Sequence, residues 1–204
     1  MNFDISWPFF QTTDLLFQAV FFENDLKVII PELFLVLCTL GLIVYGVVMA
    51  TSKYYNYPIL VSQLSWLAQV ALGWTIVLLI ANPWSHCAVL SNSFIVDYGT
   101  TFFKILILAG TMVTLWLSQD FLCRQSMNSF EFPLFFLLSA TGMICFISAG
   151  DLLSLYLTLE FQSLCFYVLA AFRRDSEFST EAGLKYFLLG AFSSGLLLFG
   201  CSLI

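Results

Sequence analysis

"LLSLYLTLEFQSLCFYVLAAF", residues 152–172, is a run of 21 residues whose single charge, Glu160, lies near its centre. A bilayer core of about 30 Å is crossed by roughly 20 apolar residues wound as a helix, and this stretch has that length and character. An acidic residue at the middle of such a helix costs about 2.5–3.5 kcal/mol on insertion scales and persists where it faces a bundle interior, a partner charge or water. At about 100° per residue, Tyr156, Ser163 and Tyr167 fall within roughly 60° of Glu160. They make one polar stripe on a helix whose other residues are largely Leu, Phe, Val and Ala. Two readings of the stripe stand side by side. In one, Glu160 is a neutral carboxyl that ties helices together by hydrogen bonds. In the other it is a titratable station on an ion or proton path, because burial favours the neutral acid and a nearby cation favours the carboxylate.

The rest of the chain sets the class. Of 204 residues, 60% are hydrophobic and only 10% charged, with mean hydropathy +0.94, whereas soluble domains carry about 25% charged residues. Such a surface cannot be covered in water, so the expected class is an all-α integral membrane protein. Six spans are predicted, at about 30–50, 58–81, 101–119, 132–149, 152–172 and 183–204. These are continuous apolar runs without the alternation of a membrane barrel. Residues 1–27, interrupted by Pro8, Gln11, Thr12, Thr13 and Asp14, are expected to form an interfacial amphipathic segment, with a seventh span as the alternative. Residues 28–120 then hold three helices and 121–204 three more.

The amino terminus has no basic region and no cleavage signature, so it reads as mature sequence; for an organellar protein this implies synthesis inside the organelle. The last span, "YFLLGAFSSGLLLFGCSLI", stops at Ile204 with no polar flank, the pattern of a chain that is cut or is one half of something.

Charge placement orients the spans. Lys53, Arg124, Arg173 and Arg174 fall on one side and Lys27 on the other, so the positive-inside rule puts both termini outside. Arg173 and Arg174 close the Glu160 helix, where they serve topology, complement the helix dipole and suit contact with anionic lipid such as cardiolipin. Asp151 opens the same helix, where the dipole favours a carboxylate. Lys185 is either a snorkelling lysine paired with Glu181 at i−4 or a relay near the inner side; counted from the inner ends, Glu160 lies about 18 Å deep and Lys185 about 4 Å. Lys104 and Glu131 are expected as interfacial anchors. Gly190 with Ser194, and Ala191 with Gly195, have the small-xxx-small spacing of close helix packing.

Other chemistries find little support. A net charge of −6 without a basic, aromatic-rich patch argues against nucleic acid. One histidine, His86, cannot supply bis-imidazole haem ligation. The six cysteines (38, 87, 123, 145, 165 and 201) have neither CxxC nor other metal-site spacing, and read as small residues packed in apolar helices. No cofactor or metal is expected in this chain.

The block "LTLEFQSLCFYVLAAFRRDSEFSTEAGLKYFLLGAFSSGLLLFGCSLI", preceded by "FEFPLFFLLSATGMICFISAGDLLSLYL", resembles the subunit 2 family of mitochondrial NADH dehydrogenase, respiratory complex I, of plants, algae and protists. "VVMATSKYYNYPILVSQLSWL" and "FFKILIL" fit it more loosely, so the likeness runs from about residue 28 onward. It implies an antiporter-like helix bundle built on two inverted five-helix repeats, of which this chain would hold the N-terminal part: three peripheral helices, then three that open the first repeat. By motif, Glu160 matches the family's fifth-helix glutamate and Lys185 the lysine of its sixth-helix "KY". The implied function is proton translocation coupled to quinone reduction, in the mitochondrial inner membrane with both termini toward the intermembrane space. Redox chemistry would lie outside this chain. Implied partners are the other membrane-arm subunits and a second chain carrying the C-terminal half, because the broken seventh helix with the usual cationic partner, and the "PFHMWAPD"-type stretch, do not occur in this sequence. A subunit of a multi-subunit cation/proton antiporter and a non-conducting membrane scaffold are the alternatives.

Overall fold

The computed structural model describes residues 8–50, 60–82, 87–90, 92–124 and 130–203. Lys53 and His86 lie outside them, as do the side chains of Cys123 and of residues 8–24. Six helices follow one another: α1 (Pro8–Ala50), α2 (Leu60–Ala81), α3 (Tyr98–Arg124), α4 (Glu131–Ser148), α5 (Leu152–Ala170) and α6 (Glu177–Ser202). Each contains a stretch long and apolar enough to cross a membrane, so the six spans of the sequence reading are present. The ends differ. The last apolar stretch begins at Glu177, several residues before the predicted start, because polar residues at a helix end do not stop backbone pairing. Pro31 sits inside α1, as membrane helices tolerate. Residues 8–24, expected as a separate interfacial segment, are helical and continuous with the first span.

Helices α1 to α4 form a four-sided bundle in which α1 packs on α2, α2 on α3, α3 on α4, and α4 back on α1. Its core draws on all four: Leu35; Ala68, Leu72 and Leu79; Leu108 and Leu115; Leu137, Ala140 and Ile144. Helix α5 packs on the outside of α4, and α6 packs on α5. Half of the α4 span is buried, whereas α6 buries Gly183 alone. The bundle is therefore closed around its own core, while α5 and α6 form an open wing.

A feature missed by the sequence reading closes one end. Cys87–Val89 (β1) and Phe94–Val96 (β2) pair as an antiparallel hairpin between α2 and α3. Val89 and Val96 bury against Val28 of α1, and Phe94 bridges to Ala149 after α4. Leu90 and Asn92 take positive φ values of 52° and 72° in the turn. Gly150 donates its N–H to the Ser93 carbonyl at 2.8 Å, and a Cβ there would collide with the Asn92 carbonyl. Glycine is required by that approach. This hairpin end, where α3 begins, α2 and α4 finish and α1 passes at Val28, is one face of the molecule; the Arg124 and Arg173–Arg174 ends lie on the other.

Candidate functional site

The α5–α6 wing holds the stripe identified from sequence. Asp151 caps α5, its backbone N–H donating to Ser154 Oγ at 3.3 Å and its carboxylate accepting from Ser93 Oγ at 3.1 Å. The hairpin thereby fixes where α5 starts. At the other end Ser176 caps α6, accepting from the Ser179 N–H at 3.3 Å, and Ser179 Oγ donates to the Ala170 carbonyl at 3.0 Å. The helices then run antiparallel, with Gly183 set against Ala171.

Between them lies a groove of about 160 Å³ lined by Tyr156, Leu159, Glu160, Ser163 and Tyr167 of α5 and by Gly190, Ser193, Ser194 and Leu197 of α6. The structure thus brings Tyr156, Ser163 and Tyr167 together with Glu160. Tyr156 lines the groove wall one turn from Glu160. Ser163 Oγ donates to the Glu160 carbonyl at 2.9 Å and reaches Glu160 Oε2 only at 3.5 Å, where a hydrogen bond is weak. Glu160 Oε1 is buried and has no donor. Tyr167 is buried, held edge-on by Tyr186 and Phe187 at centroid distances of 4.9 and 5.6 Å, and its hydroxyl rests against the backbone of Gly190.

Helix α6 contributes more than packing. Gly190 faces the Tyr167 side chain of α5, and Ser193 and Ser194 line the same groove as Glu160; Ser193 was not anticipated from sequence. Gly195 of the second small-residue pair has nothing near it. Lys185 is not brought into the groove. It pairs with Glu181 at 2.6 Å, with the two side chains 68% and 60% exposed. Taking the Gly183–Ala171 contact as the register, Lys185 lies two residues from that level and Glu160 eleven, a separation of about 13 Å along the helices. Arg173 and Arg174 are exposed after α5.

Lys104 corrects the sequence reading. It is no interfacial anchor: only 1% of its side chain is exposed, and Nζ pairs with Glu32 Oε1 at 2.5 Å. Glu32 was missed altogether, because the span was drawn from residue 30, which made it a flank. The signal available was depth. Both charges lie inside their apolar spans, Lys104 six residues into α3, and their bond sets them at one level of the bundle.

Comparison with known proteins supplies the lineage. Residues 149–204, which contain this groove, match the family described as NADH:quinone oxidoreductase/Mrp antiporter, TM. The chain is 49% identical over 184 residues to NADH-ubiquinone oxidoreductase chain 2 of Marchantia polymorpha, covering 90% of this chain and 38% of that protein. Against NADH-quinone oxidoreductase subunit N of Rhodobacter capsulatus the identity is 39% over 182 residues, covering 89% and 37%. A chain of respiratory complex I from Thermus thermophilus with bound aureothin superposes with TM-score 0.65 at 27% identity, covering 83% of this chain and 35% of that one. The chain spans less than two fifths of the length of these relatives. It is a homologue of NADH-ubiquinone oxidoreductase chain 2 and NADH-quinone oxidoreductase subunit N, and carries part of their antiporter-like membrane fold.

Proposed function

We propose that this chain serves in the membrane arm of an NADH:ubiquinone oxidoreductase of the mitochondrial inner membrane, with both termini toward the intermembrane space, and that Glu160 is a proton-carrying station there. The observation that carries the reading is the state of its carboxylate. One oxygen is buried without a donor, on a groove that otherwise offers only hydroxyls. A buried charge is stabilised by a partner charge or by hydrogen bonds, and the open face of α6 is where further helices of the fold can bring one. A cation placed there favours the carboxylate; its withdrawal favours uptake of a proton. Tyr156, Ser163, Ser193 and Ser194 orient waters beside the acid. Lys185, about 13 Å away along the helices, joins through water and not by direct contact.

In this reading the remaining helices, on a second polypeptide or in continuation of this one, supply the cation; other membrane-arm subunits pack alongside, and Arg173 and Arg174 hold anionic lipid such as cardiolipin. Electron transfer takes place in other subunits. The test is a structure of the native assembly together with a mass-spectrometric inventory of its chains. The reading requires a Lys or Arg side chain, or a water-linked one, at Glu160 Oε1, and co-purification with the NADH-oxidising subunits. Lipid against Glu160 would refute the station. Purification with a cation/proton antiporter and no NADH-oxidising subunits would refute the membership.

A further inference from the structure

The Glu32–Lys104 pair lies in a different compartment, inside the α1–α4 bundle, with α4 between it and the Glu160 groove. Its surroundings are layered. Lys104, Thr75 and Thr141 lie six or seven residues from the hairpin ends of α3, α2 and α4, about 9–10 Å at 1.5 Å per residue, and Glu32 joins this level through its bond to Lys104. One polar side chain thus comes from each of the four helices, and Lys104, Thr75 and Thr141 are buried. Leu72, Leu108 and Leu137 follow at nine to eleven residues and Leu35 one turn beyond Glu32, all four with 0% exposure and within one core cluster. Gln69 and Thr111, at twelve and thirteen residues, and Thr39, two turns beyond Glu32, follow as further polar residues. The pair is a charged layer sealed on its deep side by four leucines.

The pair is incomplete. Lys104 occupies Glu32 Oε1, while Oε2 is buried without a donor. The neighbouring hydroxyls cannot fill that vacancy, since Thr75 already donates to the Leu72 carbonyl at 2.7 Å and Thr141 to the Leu138 carbonyl at 2.6 Å. Each keeps only acceptor capacity. Among titratable groups on the packed elements, Cys145 of α4 is within electrostatic range of both charges, and α2 carries none. Glu32 keeps 12% of its side chain accessible against 1% for Lys104, so the Glu32 side chain is the member nearer the bundle surface.

We propose that Glu32, Lys104, Thr75 and Thr141 form a water-binding site that exchanges with the aqueous phase at the hairpin end alone. The bound water donates one proton to Glu32 Oε2 and one to a threonine oxygen, and accepts from a spare N–H of Lys104. That arrangement uses the capacities left open. The leucine layer stops the water file, so this is a hydrated dead end on one side of the membrane and not a pore.

The test is a map of the intact native complex that resolves ordered water. The site predicts density at about 2.7–3.2 Å from Glu32 Oε2, continuous toward the hairpin and absent across the leucines. A side chain of another subunit donating to Oε2, an empty site, or density crossing the leucine layer would each overturn it. The E32L/K104M variant, which replaces the pair by apolar groups of similar volume, is expected to lose the density while the four helices stay in place; density that persists there would also count against the site.

Discussion

The hydroxyl of Tyr167 on α5 occupies the space that a Cβ on Gly190 of α6 would fill. The ring cannot swing aside freely, because Tyr186 and Phe187 meet it edge-on. G190A therefore forces the two helices apart at the Glu160 groove, with an overpacking cost of about 1–3 kcal/mol. Thermal unfolding of the purified complex should shift down, and adding Y167F, which removes the nearest atom, should recover part of the loss. An unshifted melting curve for G190A would show that α5 and α6 are not closed as described.

The buried pair gives a test of opposite sign between single and double variants. K104M leaves Glu32 buried without its partner and is expected to destabilise the bundle by about 3–5 kcal/mol, whereas E32L/K104M is near neutral. Steady-state levels of assembled complex read both. Equal losses in the single and double variants would contradict the ion-pair geometry.

Gly150 predicts a local effect. G150A puts a methyl group onto the Asn92 carbonyl and disturbs the Gly150–Ser93 hydrogen bond. The hairpin should lift from the α4–α5 corner, with faster proteolysis between residues 87 and 96 and little change at the Arg173 end. Unaltered cleavage would mean that the hairpin does not rest on this corner.

Lys185 separates structure from chemistry. Its pair with Glu181 is exposed and spaced i,i+4, which contributes at most about 0.5 kcal/mol. K185Q should leave assembly intact and slow the proton-coupled reaction. Full coupled activity in K185Q would remove Lys185 from the path and leave it an interfacial lysine.

The sequence carried the helices and the Glu160 stripe because each depends on local order: span length, hydropathy, and a 3.6-residue period that sets Tyr156, Ser163 and Tyr167 beside the acid. What it concealed depends on contacts between distant segments. The hairpin at 87–96 has strands of three residues each, too short to show alternation, and it is held by α1 and by the turn after α4. Lys104 and Glu32 are 72 residues apart; each looked like a helix-end charge until the bundle placed them at one level. Ser193 was hidden for a related reason. The small residues of α6 fit a packing motif, and only the position of α5 shows which of them line the groove with the acid.

Proton translocation through Glu160 is tested most directly by E160Q in the assembled complex, reconstituted in vesicles, with protons moved counted against NADH oxidised. Glutamine keeps the shape and hydrogen-bonding capacity of the side chain but cannot release a proton. The account predicts normal assembly with a lowered proton-to-electron ratio or a matching loss of coupled turnover. A variant that assembles, turns over and pumps at the wild-type ratio would contradict it.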